Sequence, residues 1–177
     1  MSPRLEDEKE FKELVIGFHE GRVSRAQLAK AIHRHSTSIS LDSLVSSLQQ
    51  LFPDAGITSR QAEVRVDLLQ ATQISNDRSK YELVCLLFDD ESTYDAYERE
   101  FFAEHPVTVL HVGGGHYAIL DGHHRVRRFA ELTGGSRPMK VMLIHTDSQE
   151  LILRFRMEIE DVRRAAGTVN VSEIPLV

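Results

Sequence analysis

The chain has 177 residues, a formal net charge of -6 and 41% hydrophobic residues, which suits one domain, or one domain with a small appendage, around a sizeable core. The acidic balance argues against a general nucleic-acid coat but leaves room for a local basic patch. No apolar run is long enough to span a bilayer and no signal-peptide pattern opens the chain. Cys85 is the one cysteine, so an internal disulfide is excluded and a reducing, cytoplasmic setting is the default expectation.

The first third reads as helices. Leu5 to Glu20 places Phe11, Leu14, Val15 and Phe18 on one side and charges on the other, and Gly21 ends the helix. Ser24-Arg-Ala-Gln27 matches a capping box and opens a second helix with Leu28, Ala31 and Ile32 on its apolar face. A Ser/Thr-rich break from Ser36 to Ser40 precedes a third, which carries Leu41, Leu44, Val45, Leu48, Leu51 and Phe52. With Arg22, Arg25, Lys30, His33, Arg34 and His35 nearby, this pair of helices admits a helix-turn-helix reading. An ordinary appendage that packs on the main domain or forms a dimer is favoured, because the turn lacks glycine and the third helix is rich in serine.

From Ala62 the pattern changes. Glu63 to Leu68 alternates polar and apolar residues, as a half-buried strand does, and residues 70–80 form a polar loop. Tyr81 to Phe88 is continuously apolar and predicts a buried strand in which Cys85 packs without redox duty. Ser92 to Asp95 caps a helix bearing Tyr94, Tyr97 and Phe101, ended by His105-Pro106. Val107 to Val112 and Tyr117 to Leu120 predict a hairpin turned at Gly113-Gly114-Gly115. A strand over Met139 to Ile144 follows, then a long helix capped within Asp147 to Glu150, with Leu151, Phe155, Ile159 and Val162 as its core stripe. Gly167 ends that helix, and Val169 to Val177 is an apolar tail expected to dock on a neighbour. The expected division is a helical appendage over residues 1–58 and an α+β, mixed-sheet domain over residues 62–177.

The stretch that carries chemistry is Asp121-Gly122-His123-His124-Arg125. Asp-Gly is turn chemistry, and after it Val126, Phe129, Ala130 and Thr133 share a helical face while His123, His124, Arg127, Arg128 and Glu131 crowd the other. Gly134-Gly135 stops the helix. A strand, a tight turn and a helix whose first turn bears imidazoles and a guanidinium are expected to make an anion site, favoured over a solvated polar face with a routine turn: free backbone N–H groups and the positive end of the helix dipole point outward there. The expected phosphate-binding set is Gly122, His123, His124, Arg125 and Arg128. Asp121 fits metal contact or substrate positioning, and equally a turn residue that caps the helix. His111, His116, His123 and His124 lie close in sequence, but adjacent histidines do not easily reach one zinc ion, and magnesium carried on phosphates is the favoured metal.

Asp121-Gly122-His123-His124-Arg125, followed by a helix that ends in Gly-Gly, resembles the signature of the ParB/sulfiredoxin-like superfamily, and in particular its Asp-Gly-His-His-Arg branch, which includes free serine kinases. By order of elements the resemblance covers roughly residues 62–146. It implies a mixed-sheet domain binding a nucleoside di- or triphosphate at this helix N-terminus, with Mg2+, and phosphoryl transfer to a small hydroxylated substrate such as a free amino acid. Sulfiredoxins have a catalytic cysteine where this chain has His123, so sulfur reduction is not expected. The chromosome-partitioning proteins carry Gly-Glu-Arg-Arg in place of Gly122-His123-His124-Arg125 and follow the domain with DNA-binding helices, for which too few residues remain. In the kinases a glutamate in the loop after the first strand acts as base; here residues 70–80 hold no glutamate, and Asp77 is the nearest carboxylate, with Glu82 beyond. Three functions follow from these residues: a nucleotide-dependent phosphotransferase, a nucleotide-gated regulatory protein contacting DNA or a partner through its N-terminal helices, and an interaction module without ligand.

Overall fold

The structure is a computed structural model that describes residues 3–35 and 40–177; most of the predicted Ser/Thr-rich break lies outside the described residues. Three helices come first: α1 (Pro3–His19), α2 (Arg25–His35) and α3 (Leu41–Leu51). The Ser24–Gln27 capping box forms as the sequence predicts, Gln27 N–H donating to Ser24 Oγ at 3.1 Å and Ser24 N–H to Gln27 Oε1 at 2.8 Å. After α3 the chain runs through β1 (Ile57–Val64), a short 3-10 turn over Val66–Leu68, and the two-residue β2 (Leu69–Gln70). Two helices follow, α4 (Arg78–Leu87) and α5 (Glu91–Phe101), then β3 (Thr108–Gly113), β4 (His116–Asp121), α6 (His123–Thr133), β5 (Met139–Thr146) and α7 (Gln149–Ala166).

The sheet is mixed, in the order β1-β5-β3-β4-β2. β1 is antiparallel to β5, β5 parallel to β3, β3 antiparallel to β4 across the Gly113–Gly115 turn, and β4 parallel to β2. With its helices this is an α+β fold. Both sheet faces are covered, which explains why β3 and β5 read as continuous apolar runs. Val109, Ile119 and Leu143 face one core shared with α1, α2, α4, α5 and α6. Leu110, Ala118 and Ile144 face another shared with α3 and α7.

Two sequence expectations fail here. Residues 81–88 are not a strand: they form most of α4, and Asp77 caps it by accepting the Lys80 amide at 2.9 Å. A run that is apolar but for Glu82 is compatible with a strand or a buried helix, and here the helical spacing of Tyr81, Val84, Leu87 and Phe88, all buried, decides it. Cys85 accordingly lies on the flank of α4, half-buried, and burial pushes its thiol pKa up. The strand predicted over residues 63–68 starts instead at Ile57 and stops at Val64, where the chain tightens into the 3-10 turn.

The N-terminal helices contribute directly to the main core. Leu28 is fully buried in the same cluster as Leu83, Phe88 and Val109. Arg25 spends its guanidinium on the carbonyls of Leu86 and Leu87, at 2.9 and 2.8 Å, and on Asp89. His33 faces inward and stacks on His105 with ring centroids 3.9 Å apart. The apolar tail docks on its own chain: Val171 and Ile174 are buried. Because Leu28 is shared between the helical segment and the sheet, Leu28→Ala is expected to lower stability by about 2–5 kcal/mol while urea unfolding stays a single transition. A separate early transition for the N-terminal helices would contradict this.

Candidate functional site

β4 ends at Asp121 and α6 begins at His123, so the whole reversal falls on Gly122. Its φ of +106° suits glycine, and a Cβ there would lie 2.9 Å from Val107 Cγ2 and 3.3 Å from an Arg125 nitrogen. Gly122 is also the N-cap, so no side chain caps α6. The helix therefore presents its first-turn amides, and the positive end of its dipole, with no N-cap side chain to accept from them.

This helix end opens on a cavity of about 340 Å³, in the size range of small-molecule sites. Its apolar walls come from Ile32, Leu44, Val84, Leu87, Phe88 and Leu120, and its polar groups include Gln73, Ser75, Asp77, Lys80 and Asp121. Of the expected set, Asp121, Gly122, His123, His124 and Arg125 all line this cavity, and Arg128 does not. Arg128 Nε donates to the Phe88 carbonyl at 2.9 Å, and its Nη1 pairs with Glu131 at 3.3 Å. Arg128 lies on the polar face of α6, as its spacing predicts, but this part of the face turns toward the end of α4 and away from the cavity.

The motif side chains are engaged by the protein itself. His123 is buried, and its Nε2 accepts the Thr72 amide at 3.0 Å, so the proton of the neutral ring sits on Nδ1. Burial, and then His124, press its pKa down to about 3. His124 donates from Nε2 to the Asp77 carbonyl at 3.2 Å; burial first and Lys80 second lower it to about 4. Arg125 is buried, donates from Nη1 to the His105 carbonyl, and lies 3.7 Å from Asp121 Oδ2. Beside it the Tyr97 hydroxyl is 2.5 Å from His33 Nε2. Burial raises the Tyr97 phenol, and burial with the Arg125 charge lowers His33 to about 3. At neutral pH these imidazoles are uncharged.

The cation that the sequence reading missed is Lys80, the one lysine on the cavity wall. The signal was present: Asp77 three residues ahead of it is an N-cap residue, which puts Lys80 in the first turn of a helix. The sequence pattern marks Tyr97 only as an apolar-face residue and His33 only as part of a basic patch. Among the described residues no group of three or more His, Cys, Asp or Glu side chains is arranged to hold a metal ion by itself. His111 instead lies beside Tyr117 and His145, and His116 is at a separate groove by the hairpin turn. Magnesium carried on phosphates needs only one or two protein carboxylates, and Asp77 and Asp121 both line the cavity; the residues present fit that group. No described helix is long and apolar enough to cross a membrane.

Comparison with protein-family models, curated proteins and solved structures finds no match to this chain.

The neutral state of His123 has a pH signature. Above about pH 6.5 the imidazole is uncharged whether the chain is folded or not; below it the unfolded chain takes up a proton that folded His123, held near 3, does not. Stability is therefore expected to fall as pH drops from 6.5 toward 3, by up to about 1.4 kcal/mol per pH unit from this one group. Urea titrations across that range check it. His123→Gln, which keeps an acceptor for the Thr72 amide, should flatten the profile, and an unchanged slope would remove His123 as its source.

Proposed function

We propose that this cavity binds a nucleoside di- or triphosphate with Mg2+ and that the protein transfers phosphate to a small hydroxylated substrate such as a free amino acid. The observation that carries the reading is the convergence of the uncapped α6 N-terminus, Lys80 and His124 on one half-open cavity with apolar walls. Amides at a helix N-terminus and a nearby ammonium are suited to phosphate oxygens. The apolar side formed by Ile32, Val84, Leu87 and Phe88 suits the uncharged part of such a ligand. The resemblance of Asp121-Gly122-His123-His124-Arg125 to the kinase-bearing branch supports the same reading.

Each residue then has a distinct role. Lys80 supplies the standing positive charge, and the amides of His123 and His124 supply donors. A phosphate beside His124 favours protonation of its Nδ1, so ligand binding itself would recruit a further cation beside Lys80 and Arg125. Magnesium, when bound, neutralises phosphate charge. Asp121, fixed at the strand end, orients the acceptor hydroxyl or holds the metal; Asp77 is the second carboxylate within the same space. Phosphoryl transfer asks the protein mainly for positioning and charge stabilisation, which these groups provide.

Lys80→Ala is expected to weaken binding of ATP with magnesium by about tenfold to a hundredfold, the equivalent of a lost charge-assisted bond of about 1.5–3 kcal/mol. Arg128→Ala, outside the cavity, should leave affinity unchanged. Calorimetry at moderate salt measures both. Equal affinity in wild type and Lys80→Ala would dismiss the phosphate site.

A further inference from the structure

The polar wall of the cavity, Gln73 to Asp77, belongs to a segment without regular structure between β2 and α4. What holds it is the C-terminal segment 169–177. Ala71 N–H donates to the Val169 carbonyl, Asn76 N–H to Pro175, Val177 N–H to Asn76 and Arg78 N–H to Val177, each at 2.9 Å. The side chain of Arg78 adds a bond to the Leu176 carbonyl at 3.1 Å, and Arg127 of α6 donates to the Ile174 carbonyl at 2.6 Å. Ile174 is 1% exposed and packs with Ala71 and Val162 in a small cluster apart from the two main ones. The same wall carries the functional groups: the Asp77 carbonyl takes His124, the Asp77 carboxylate caps the helix that presents Lys80, and Thr72 N–H meets His123.

We infer that residues 169–177 are a strap that orders the 71–80 wall of the cavity and thereby sets its affinity for phosphate ligands, an inference that rests on the cavity being the phosphate site. Tail docking and ligand binding are then linked. A ligand whose site is competent only with the tail docked binds with an affinity reduced by the undocked fraction. By reciprocity, ligand in the cavity holds the tail down.

The test compares wild type, Ile174→Ser, which removes the anchor from the small cluster, and Ile174→Val, which keeps it. Hydrogen exchange is followed at the Thr72 and Lys80 amides, which bond to His123 and Asp77 and not to the tail, so a purely local loss of tail contacts leaves them unmoved. Expected are faster exchange at both amides in Ile174→Ser, about tenfold weaker binding of ATP with magnesium if nine-tenths of the tail undocks, and recovery in Ile174→Val. In wild type, saturating ATP with magnesium should slow exchange at the Val177 amide, outside the cavity. Unmoved exchange at Thr72 and Lys80, or equal affinity in wild type and Ile174→Ser, overturns the strap. Wild type binding neither ATP nor tripolyphosphate would instead overturn the phosphate site, and the two amides would still decide whether the tail orders the wall. Should Ile174→Ser fail to fold, Arg78→Ala, at an exposed position, removes the Leu176 contact and is read in the same way.

Discussion

A buried guanidinium has to be satisfied, and Arg125 satisfies itself by joining three separate elements. Its side chain is 9% exposed, it donates to the carbonyl of His105 at the end of the α5 region, it lies against Asp121 at the end of β4, and it stands beside Tyr97 of α5. Leaving such a charge without partners in the interior carries a penalty of several kcal/mol. The placement of α5 and β4 around the start of α6 is therefore tightly constrained. Gly122 belongs to the same constraint, because the space its missing side chain leaves is bordered by Val107 and by Arg125.

Seen this way, the Asp-Gly-His-His-Arg stretch is a frame. Asp121 faces Arg125, His123 ties the 71–80 segment to α6, and His124 ties the end of that segment to the same helix turn. The imidazoles are neutral because burial outweighs any stabilisation of their charge. The electropositive character of the cavity thus comes from backbone amides, the helix dipole, Lys80 and the Arg125 guanidinium that Asp121 partly offsets, of which only Arg125 belongs to the motif.

That distinction also explains which parts were legible in the sequence. Elements bounded by strong local chemistry were readable: the Ser24 box, the triple glycine between β3 and β4, Gly122 with φ +106°, and Gly167 closing α7. The amphipathic stripe of α7 and the buried side of α5 followed from periodicity. Residues 81–88 misled because the end of α4 is nearly all apolar, so its helical period is visible only through exposed Glu82 and the Asp77 cap. The motif residues Asp121 to Arg125 share one cavity, but their partners were not legible. That Arg125 turns to His105, or Arg128 to Phe88, depends on contacts between residues 20 and 40 positions apart. Lys80 sits in the first turn of α4, and reading residues 70–80 as a loop hid its place there.

The two ends of the sheet are unlike. β2 has two residues and offers almost nothing to a further strand, whereas β1 is eight residues long and pairs on one side with β5. Such an edge is an invitation to intermolecular strand addition. Along it Thr58, Ser59, Arg60, Gln61 and Glu63 are exposed, so an incoming strand would have to strip water from both charges and gain little apolar contact in return. The polar composition of β1, unremarkable for holding the fold together, disfavours the addition of another strand at this end of the sheet.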